Sequence, residues 1–370
     1  MKLTISKEIL VEQLNHVVGA IDKKHTSKIL ENIFIRATEN KLQLVGTDLE
    51  IEMSAEIEMT ADTLGQITAS AQKFFDICKA LPKDSLILLE TDDKQRLHIK
   101  GRRSRFELAT LPADEYPLLD DIPIKQEITI PEKILKNLLD KVSFSMANQD
   151  VRYYLNGMLL DFSKNNILAV TTDGHRLAIT KNSEPTDSII ELEQKIIVPR
   201  KGILELTRLL DSSSELPITL QLSDNHIRVN KDQIRFTSKL IDGKYPDYQA
   251  AIPTNCELSI ELDREQFRDT LARVSILSNE TFKGIKIKLY DGTMFIQSNN
   301  PDNESAEEEM DVNYSGDVFE IGFNVTYLLE AINHLEGDSI IFELFAPDTS
   351  AVLYASADID TQYIVMPVRL

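Results

Sequence analysis

The sequence has few of the residues that build covalent or metal-bound frameworks. Its 370 residues include two cysteines, Cys78 and Cys256, and six histidines. Two cysteines are too few for a disulfide scaffold or a Cys-based zinc site, and the histidines lack the spacing of metal ligands. We therefore predict a reduced chain that carries no cofactor and no metal.

Long apolar runs are missing as well. No run approaches the ~18 residues of a membrane-spanning helix. The N-terminal stretch MKLTISKEIL has Glu8 inside its apolar part and lacks the apolar region of a signal peptide. We therefore expect a cytoplasmic protein that does not interact with a membrane.

Motifs of the common enzyme classes are also missing. The sequence has no P-loop, no HExxH and no nucleophile elbow. Asp173 and His175 lie close together, which leaves a cytoplasmic hydrolase open as an alternative. No positioned serine or cysteine nucleophile accompanies them, so we predict a protein that is not an enzyme.

Basic residues are outnumbered by acidic ones. The chain has 40 Lys+Arg and 60 Asp+Glu, which gives a formal net charge of −20. Such a charge repels nucleic acid at long range. It argues against a protein that coats nucleic acid with its whole surface, but it is compatible with one that has a basic face.

What the sequence does contain is an internal repeat. Residues 4–14 resemble residues 129–139, and the same shift of 125 residues carries Thr47-Asp48 onto Thr172-Asp173. A fainter third copy begins near Leu262. Similar Tyr-Pro to Ile-Pro segments at 116–123 and 245–253 suit crossings between domains. We therefore predict three domains, at residues 1–124, 125–253 and 254–370.

Each repeat has the pattern of strands plus two helices. Between residues 49 and 59, apolar residues alternate with mainly acidic ones, which predicts a half-buried strand with an acidic solvent face. The pattern predicts an α+β fold with mainly antiparallel sheets, repeated three times. The predicted helices span 7–18, 72–83, 131–141, 199–210, 263–273 and 325–335.

Charge is distributed unevenly over these elements. The six predicted helices hold 13 basic and 10 acidic residues, an excess of +3 in a chain of −20. Either the helices face a polyanion together, or surface helices simply tolerate Lys and Arg. Separately, residues 94–105 are basic and residues 302–309 are acidic. Complementary runs near opposite ends of a repeated chain suit head-to-tail association, although each could also be a solvated loop.

Several segments together are highly specific for one family. The chain resembles the bacterial beta sliding clamps, the beta subunits of DNA polymerase III, over its whole length. The segments that carry the resemblance are Lys73–Cys78, Gln149–Gly157, Thr172–Leu177, Val198–Gly202, Thr237–Leu240, Tyr245–Tyr248, Ile276–Glu280 and Val365–Leu370.

The resemblance implies an architecture and a function. Each chain would have three clamp domains, with antiparallel sheets outside and two helices inside, and would form half of a six-domain ring. The ring would encircle double-stranded DNA without sequence preference and act as a processivity factor. Its partners would be a second copy of itself, the clamp loader, the replicative polymerase and other proteins with a clamp-binding motif. A repeat scaffold that does not bind DNA is a further alternative, against which the basic helices weigh.

The resemblance also implies three sets of site residues. DNA would be contacted by Lys24, Gln149, Arg152, Tyr153, Tyr154, Arg200, Lys201 and Arg208. A short partner peptide with a Gln and a terminal Leu/Phe pair would bind a pocket of Leu155, Thr172, Gly174, His175, Arg176, Leu177, Pro246, Ser350, Val365, Met366, Pro367, Val368, Arg369 and Leu370. The dimer interface would consist of Lys73, Arg96, Arg103, Arg105, Phe106, Leu108, Ile276, Leu277, Glu304, Glu307, Glu308 and Glu309.

One departure from the family pattern lies at the rim of this pocket. Gln249, Ala250 and Ala251 stand where the family pattern has an arginine and a larger apolar residue. The rim is therefore expected to be smaller and less charged. The C-terminal residues are apolar at alternating positions, so we predict that this tail is held against an apolar surface and is not frayed.

Overall fold

The computed structural model describes residues 1–22, 26–119, 122–163, 166–182, 192–256 and 258–369. All six predicted helices are present there, with ends within three residues of the predicted positions. They are Lys7–Val17 (α1), Ala71–Ala80 (α2), Glu132–Val142 (α3), Arg200–Leu209 (α4), Arg264–Val274 (α5) and Val325–His334 (α6).

The helices begin where the sequence supplies a cap and continue where it supplies an apolar face. At α5, the Asp263 carboxylate accepts a hydrogen bond from the Gln266 N–H at 2.7 Å, which satisfies one of the free donors of the first turn. Phe267, Leu271 and Val274 then fall on one face and are buried. This pattern explains why α5 forms despite its many charged residues.

The described residues also form twenty-five strands in four antiparallel sheets. The first sheet has the order β1-β6-β7-β8, from Lys2–Ser6, Leu86–Thr91, Leu97–Gly101 and Ser104–Leu108. The second has the order β10-β15-β16-β17-β4-β3-β2-β5-β9, from Gln126–Pro131, Pro217–Leu222, His226–Lys231, Ile234–Lys239, Ile51–Glu58, Lys41–Thr47, Asn32–Ala37, Gly65–Ser70 and Thr110–Leu111.

The other two sheets come later in the chain. The third has the order β14-β11-β12-β13-β25-β24-β23-β18, from Gln194–Pro199, Gly157–Ser163, Asn166–Thr172, Arg176–Lys181, Asp358–Val365, Ala351–Ala355, Ser339–Leu344 and Leu258–Asp263. The fourth has the order β21-β20-β19-β22, from Ser305–Asp311, Thr293–Asn299, Gly284–Tyr290 and Phe319–Asn324.

The chain packs as two compact units. The first contains Met1–Leu135 and Lys201–Leu240, with the first and second sheets. The second contains the described residues of Lys136–Thr186, Leu192–Arg200 and Ile241–Leu370, with the third and fourth sheets. These two units do not test the predicted domain boundaries at 124 and 253, which stay predictions.

The two large sheets are composites of consecutive repeats. In the second sheet, β17 pairs with β4 and so joins four strands of the central repeat to the strands of the first repeat. In the third sheet, β13 pairs with β25 and joins four strands of the central repeat to four strands of the last. The two four-stranded sheets end in β8 and β21, whose outer edges carry no strand within the described chain.

The prediction of an acidic solvent face on β4 is wrong at Glu52, the second residue of the strand. Glu52 is only 1% exposed, and its carboxylate accepts a hydrogen bond from the Leu119 N–H at 2.8 Å. The Leu119 carbonyl in turn accepts one from the guanidinium of Arg228 at 2.9 Å. The chain near Leu119 therefore satisfies polar groups of this face, whereas Glu58 at the end of β4 is exposed.

Candidate functional sites

The turn between β12 and β13 contains four of the predicted pocket residues. The Thr172 hydroxyl accepts a hydrogen bond from the Gly174 N–H at 3.1 Å. The Asp173 carboxylate accepts hydrogen bonds from the N–H groups of His175 at 2.9 Å and Arg176 at 3.1 Å. Gly174 has a φ of +88°, in the left-handed region that favours glycine. The turn leaves His175 exposed and directs Leu177 into the core.

An apolar cluster on the third sheet forms the floor beside this turn. Several more side chains pack against it but remain partly exposed, among them Tyr154, Ala251 and Tyr354. Partial exposure of apolar side chains is what a peptide pocket requires. The buried members are Leu159, Val170, Leu177, Ile197, Tyr245, Tyr248, Val352 and Ile364.

A cavity of about 460 Å³ opens at the edge of this cluster. Pro246, the predicted wall residue, lines it together with Tyr245 and Tyr248. Lys195 also lines it, and its ammonium pairs with Asp161 at 3.1 Å. Burial raises the pKa of Tyr248, as expected for a phenol set into an apolar wall.

The C-terminal tail is held by backbone hydrogen bonds as far as it is described. The Met366 N–H donates to the His175 carbonyl at 3.0 Å, and the Val368 N–H donates to the Gly322 carbonyl at 2.8 Å. Val365 is buried at the end of β25, and Met366 is 41% exposed. The tail therefore runs beside the turn of His175, as the predicted pocket requires. Leu370 lies outside the described residues.

The remaining predicted pocket residues lie at different depths. Leu155 is buried in a 3-10 turn of Tyr153–Leu155. Ser350 is partly buried just before β24, whose first residue pairs with Val365. Pro367 is partly buried and Arg369 is exposed. The structure thus brings the turn, the apolar cluster and the tail together, with Ser350 at the margin.

Sequence reasoning missed Tyr327 on α6. Its ring stacks near His175, with ring centroids 6.3 Å apart, and lies 4.6 Å from the guanidinium carbon of Arg176. Burial raises the pKa of Tyr327. The available signal was its place in α6, three residues after the cap Asn324, but the third repeat is too faint to align from sequence alone.

His175 does not have the surroundings of a catalytic histidine. The Asp173 carboxylate accepts hydrogen bonds from two backbone N–H groups and lies 3.2 Å from the Arg176 guanidinium. It therefore orients the turn and not the imidazole ring. This geometry does not favour the hydrolase alternative, because in a catalytic triad the carboxylate accepts a hydrogen bond from the imidazole ring.

The loop before the 3-10 turn and the turn itself contain four of the predicted DNA contacts. Gln149 has a φ of +58°, and the neighbouring Val151 is 96% exposed. Arg152 pairs with Asp150 at 2.8 Å and lowers the pKa of that carboxyl to about 2. Tyr153 is 57% exposed, whereas Tyr154 packs against the apolar cluster. One ring is therefore available for stacking and the other is structural.

The three predicted DNA-contacting cations of α4 differ in their exposure and in their partners. Arg200 donates a hydrogen bond to the Met146 carbonyl at 3.1 Å, and Lys201 pairs with Asp48. Arg208 has the most exposed side chain of the three and pairs with Glu205 at 2.7 Å. It is the α4 cation best placed to exchange its partner for a phosphate. Lys24 lies outside the described residues.

The basic residues of the predicted interface lie on several elements: Arg103 and Arg105 just before and on the edge strand β8, Arg96 just before β7, and Lys73 on α2. Arg103, Arg105 and Lys73 are exposed, and Arg96 pairs with Glu107 at 2.8 Å. Phe106 is partly exposed. Leu108 is only 9% exposed, so it offers little surface to a partner.

The acidic residues lie on and before the edge strand β21. Glu308 pairs with Arg273 at 2.6 Å, and Glu309 accepts a hydrogen bond from the Tyr290 hydroxyl at 2.9 Å. Ile276 is 76% exposed and Leu277 is partly buried. Glu304 and Glu307 accept hydrogen bonds from neutral amides, Asn300 and Gln297.

Comparison with known proteins decides the family. Three domains of the DNA polymerase III beta subunit match this chain in order: the N-terminal domain at residues 1–120, the central domain at 129–247 and the C-terminal domain at 249–369. The chain belongs to the DNA polymerase III beta subunit family. It therefore has three clamp domains, as the resemblance implied.

Individual clamps agree with this assignment. The beta sliding clamp of Pseudomonas putida is 42% identical over 371 residues, and that of Escherichia coli K12 is 40% identical over 371 residues. Both alignments cover all of each chain. The crystal structure of a sliding clamp from Pseudomonas aeruginosa bound to griselimycin has a TM-score of 0.95 at 40% identity, with full coverage of both chains. The Caulobacter crescentus clamp reaches 0.94 at 33% identity.

Family membership confirms several predictions at once. Beta sliding clamps are processivity factors of DNA replication and not enzymes, so the processivity role is confirmed and the hydrolase alternative is wrong. In the part of the chain that the structure describes, no helix is long and apolar enough to cross a membrane. The residue assignments for DNA, peptide and dimer contacts stay predictions.

Proposed function

We propose that two copies of this chain associate head to tail through β8 and β21 into a ring that encircles duplex DNA. The observation that carries this proposal is the composite construction of the sheets. Each large sheet joins the edge of one repeat to the edge of the next, through β17 with β4 and β25 with β13. The first and last repeats leave one such edge each, β8 and β21. A second copy supplies the missing partner for both edges.

The repeats also supply a register for this pairing. In the β7–β8 hairpin, two residues separate the paired Gly101 and Ser104, and in the β16–β17 hairpin two residues separate the paired Lys231 and Ile234. Ser104 therefore corresponds to Ile234. Ile234 pairs with Ala55 of β4. Aligning β3–β4 with β20–β21 by their pairings places Glu308 at the position of Ala55. Ser104 would then face Glu308 of the partner subunit.

This register places opposite charges across the junction. Arg105 would lie opposite Glu307 of the partner subunit, and Phe106 opposite Ala306 of the partner subunit. Exposed ion pairs contribute roughly 0–1 kcal/mol each, so the buried apolar surface of Phe106 and Ile276 supplies much of the association energy. The charges mainly fix the partner and the register.

The DNA contacts are loose and independent of sequence. The exposed Arg152, Tyr153 and Arg208 are suited to phosphate and base-stacking contacts, and Gln149 lies in the same loop as Arg152. Each of the two arginines already has a carboxylate partner in the chain. Exchange between a carboxylate and a phosphate costs little, which suits a protein that moves along DNA while the closed ring retains it.

The pocket of turn, cluster and tail holds partner proteins on the ring. Its apolar floor accepts the terminal Leu/Phe pair of a short motif, and the exposed backbone of the tail offers hydrogen bonds to the Gln. The clamp loader, the replicative polymerase and repair enzymes would bind there. We also assign the protein to the cytoplasm, where bacterial DNA is replicated and where both of its free cysteines stay reduced.

Reversal of the edge charges tests the ring. Arg103→Glu with Arg105→Glu should yield a monomer in sedimentation equilibrium, and the further changes Glu307→Arg and Glu308→Arg should restore the dimer. Lys41→Glu with Lys133→Glu, two exposed or partly exposed cations away from both edges, is the matched control and should stay dimeric. An unchanged mass after the first pair of changes would place the interface elsewhere.

DNA topology tests encirclement. Protein loaded onto nicked circular DNA by a clamp loader should stay bound through a gel-filtration column at moderate salt and should be lost after a single cut linearises the circle. Loss from both forms at the same salt concentration would indicate ordinary backbone binding.

A further inference from the structure

Arg176 is the most heavily engaged side chain of the predicted peptide pocket. Its side chain is 10% exposed, and its guanidinium contacts the Asp173 carboxylate at 3.2 Å, the Phe144 carbonyl at 3.1 Å and the Glu330 carboxylate. Its central carbon lies 5.2 Å from the Phe144 ring and 4.6 Å from the Tyr327 ring. Little of this side chain remains for a bound peptide.

These contacts connect three separate parts of the second unit. Asp173 lies in the turn before β13, Phe144 follows α3, and Glu330 and Tyr327 lie on α6. The guanidinium is planar and donates in fixed directions, so partners on three sides hold it in one orientation. Arg176 therefore fixes the position of the turn relative to α6.

The position of the turn determines two surfaces of the pocket. The His175 carbonyl accepts the Met366 N–H at 3.0 Å, so the tail follows any movement of the turn. The His175 ring faces the Tyr327 ring at an interplanar angle of 18°. A shift of the turn by a fraction of an ångström would therefore change both the tail and the aromatic wall.

We propose that Glu330 is a positioning residue for partner-peptide binding, which acts by holding Arg176 and, through it, the turn and the tail. The inference rests on the proposed peptide pocket. Glu330 does not line the apolar floor, and its own side chain is 42% exposed. Its effect reaches the peptide only through Arg176, which keeps Asp173 as its other charged partner.

The test compares Glu330→Gln with a matched control. Glu265→Gln also removes a carboxylate that faces an arginine on a helix of the same unit, since Glu265 lies 3.9 Å from Arg268 on α5. The probe is a fluorescent peptide with a Gln and a terminal Leu-Phe pair, titrated into each full-length variant. Glu330→Gln should weaken binding about threefold to tenfold, as expected for loss of one charge-assisted contact, and Glu265→Gln should not change it.

Two further measurements separate positioning from general stability. Hydrogen exchange at the Met366 N–H should become faster in Glu330→Gln, while the melting temperature and the dimer mass stay as in the unchanged protein. Glu330→Asp keeps the charge and should recover part of the affinity. In an Arg176→Lys background, which lacks the planar fork, Glu330→Gln should have a smaller effect than in the unchanged protein.

Deletion of residues 366–370 distinguishes an error in the role of Glu330 from an error in the proposed pocket itself. If the truncation abolishes peptide binding but Glu330→Gln leaves the affinity and the Met366 exchange unchanged, the pocket is correct and the role of Glu330 is wrong. If the folded truncation still binds the peptide with full affinity, the pocket itself is wrong and the role of Glu330 falls with it.

Discussion

The same turn occurs twice in this chain, with opposite consequences for the surface beside it. The Thr47 hydroxyl accepts the Leu49 N–H at 3.0 Å, and the Asp48 carboxylate accepts the N–H groups of Glu50 and Ile51. Thr172 and Asp173 make the equivalent hydrogen bonds 125 residues later. The backbone of the two turns is therefore set by the same Thr-Asp pair.

The residue five positions after the threonine differs. In the first turn it is Glu52, which is buried and accepts a hydrogen bond from the backbone of Leu119. In the second turn it is Leu177, which joins the apolar cluster beside the tail. The chain thus covers the first surface with its own backbone and leaves the second partly exposed. The turn of the first repeat therefore has a structural role, whereas the turn of the second repeat lies at a candidate binding site.

The largest effect is expected from removing the tail at the second turn. Deletion of residues 366–370 should weaken binding of a Gln-Leu-Phe peptide by about 100-fold or more, because the tail and the turn would form one wall of the proposed pocket. Val365 stays paired in β25, so the fold should be nearly unchanged. Peptide titration and a melting scan on the same protein check this. A lower melting temperature together with normal affinity would show that the tail is only structural.

A smaller effect is expected at the first turn. Glu52→Ala leaves the Leu119 N–H without its acceptor in a partly buried position, which should cost about 1–3 kcal/mol of unfolding free energy. The melting temperature of the corresponding unit should fall by roughly 2–4 °C per kcal/mol. Glu58→Ala, at the exposed end of the same strand, is the control and should have no effect beyond about 0.5 kcal/mol. Peptide affinity should be the same in both variants, and a loss in Glu52→Ala would mean that the two turns are coupled.

An exchange of residues between the two turns tests their equivalence. Leu49 has a φ of +77° where the second turn has Gly174 at +88°. Gly174→Ala should lower the free energy of unfolding by about 1–2 kcal/mol, because alanine is strained at a positive φ. The added Cβ would also come within 2.8 Å of the Arg152 guanidinium. Leu49→Gly removes the same strain at the cost of chain entropy, so its stability should be unchanged or up to ~1 kcal/mol higher. Urea unfolding measures both, and destabilisation by Leu49→Gly would contradict the equivalence.

Local sequence patterns predicted most of the secondary structure, because helix periodicity and strand alternation are properties of neighbouring residues. All six helices were predicted, and so was the alternation of β19, in which Ile285 and Ile287 are buried and Lys286 is exposed. The burial of Glu52 was not, because it depends on Leu119, which is distant in sequence. Alternation predicts which residues share a face, but not what covers that face.

The candidate sites show the same difference between what local sequence predicts and what depends on contacts between distant residues. Thr172 and residues 174–177 were predicted as a group because the family resemblance is carried there by one contiguous segment of the sequence. Tyr327 and Glu330 were missed because they belong to the third repeat, whose similarity to the others is faint. Leu108 was assigned to the interface together with Phe106, and the two side chains share a face of β8, but Leu108 is buried whereas Phe106 is exposed. Contacts between segments that are distant in the sequence follow only from the three-dimensional fold.

The smallest effect concerns two carboxylates that occupy the same position in their helices. Glu330 and Glu205 are the sixth residues of α6 and α4, yet Glu330 pairs with Arg176 of a neighbouring strand and Glu205 pairs with Arg208 of its own helix. Glu205 lies against Gly19, where a Cβ would overlap its carboxylate. Burial raises the pKa of Glu205 despite the nearby cations. A raised pKa means that the folded protein holds this proton more tightly than the unfolded chain does.

The sign of the pH dependence follows from that shift. The contribution of Glu205 is favourable when the carboxyl is protonated, and it is lost as the pH rises above the ordinary value of 4.5 through the raised one. At neutral pH the ionised, poorly solvated carboxylate is therefore a net cost, offset only in part by the exposed Arg208. We therefore expect the difference in unfolding free energy between Glu205→Gln and the unchanged protein to shift in favour of the variant from about pH 4 to about pH 8. Urea unfolding at the two pH values measures this difference. Glu265→Gln, an exposed carboxylate on α5, should show no such gain, and an equal response of the two variants would mean that burial does not govern Glu205.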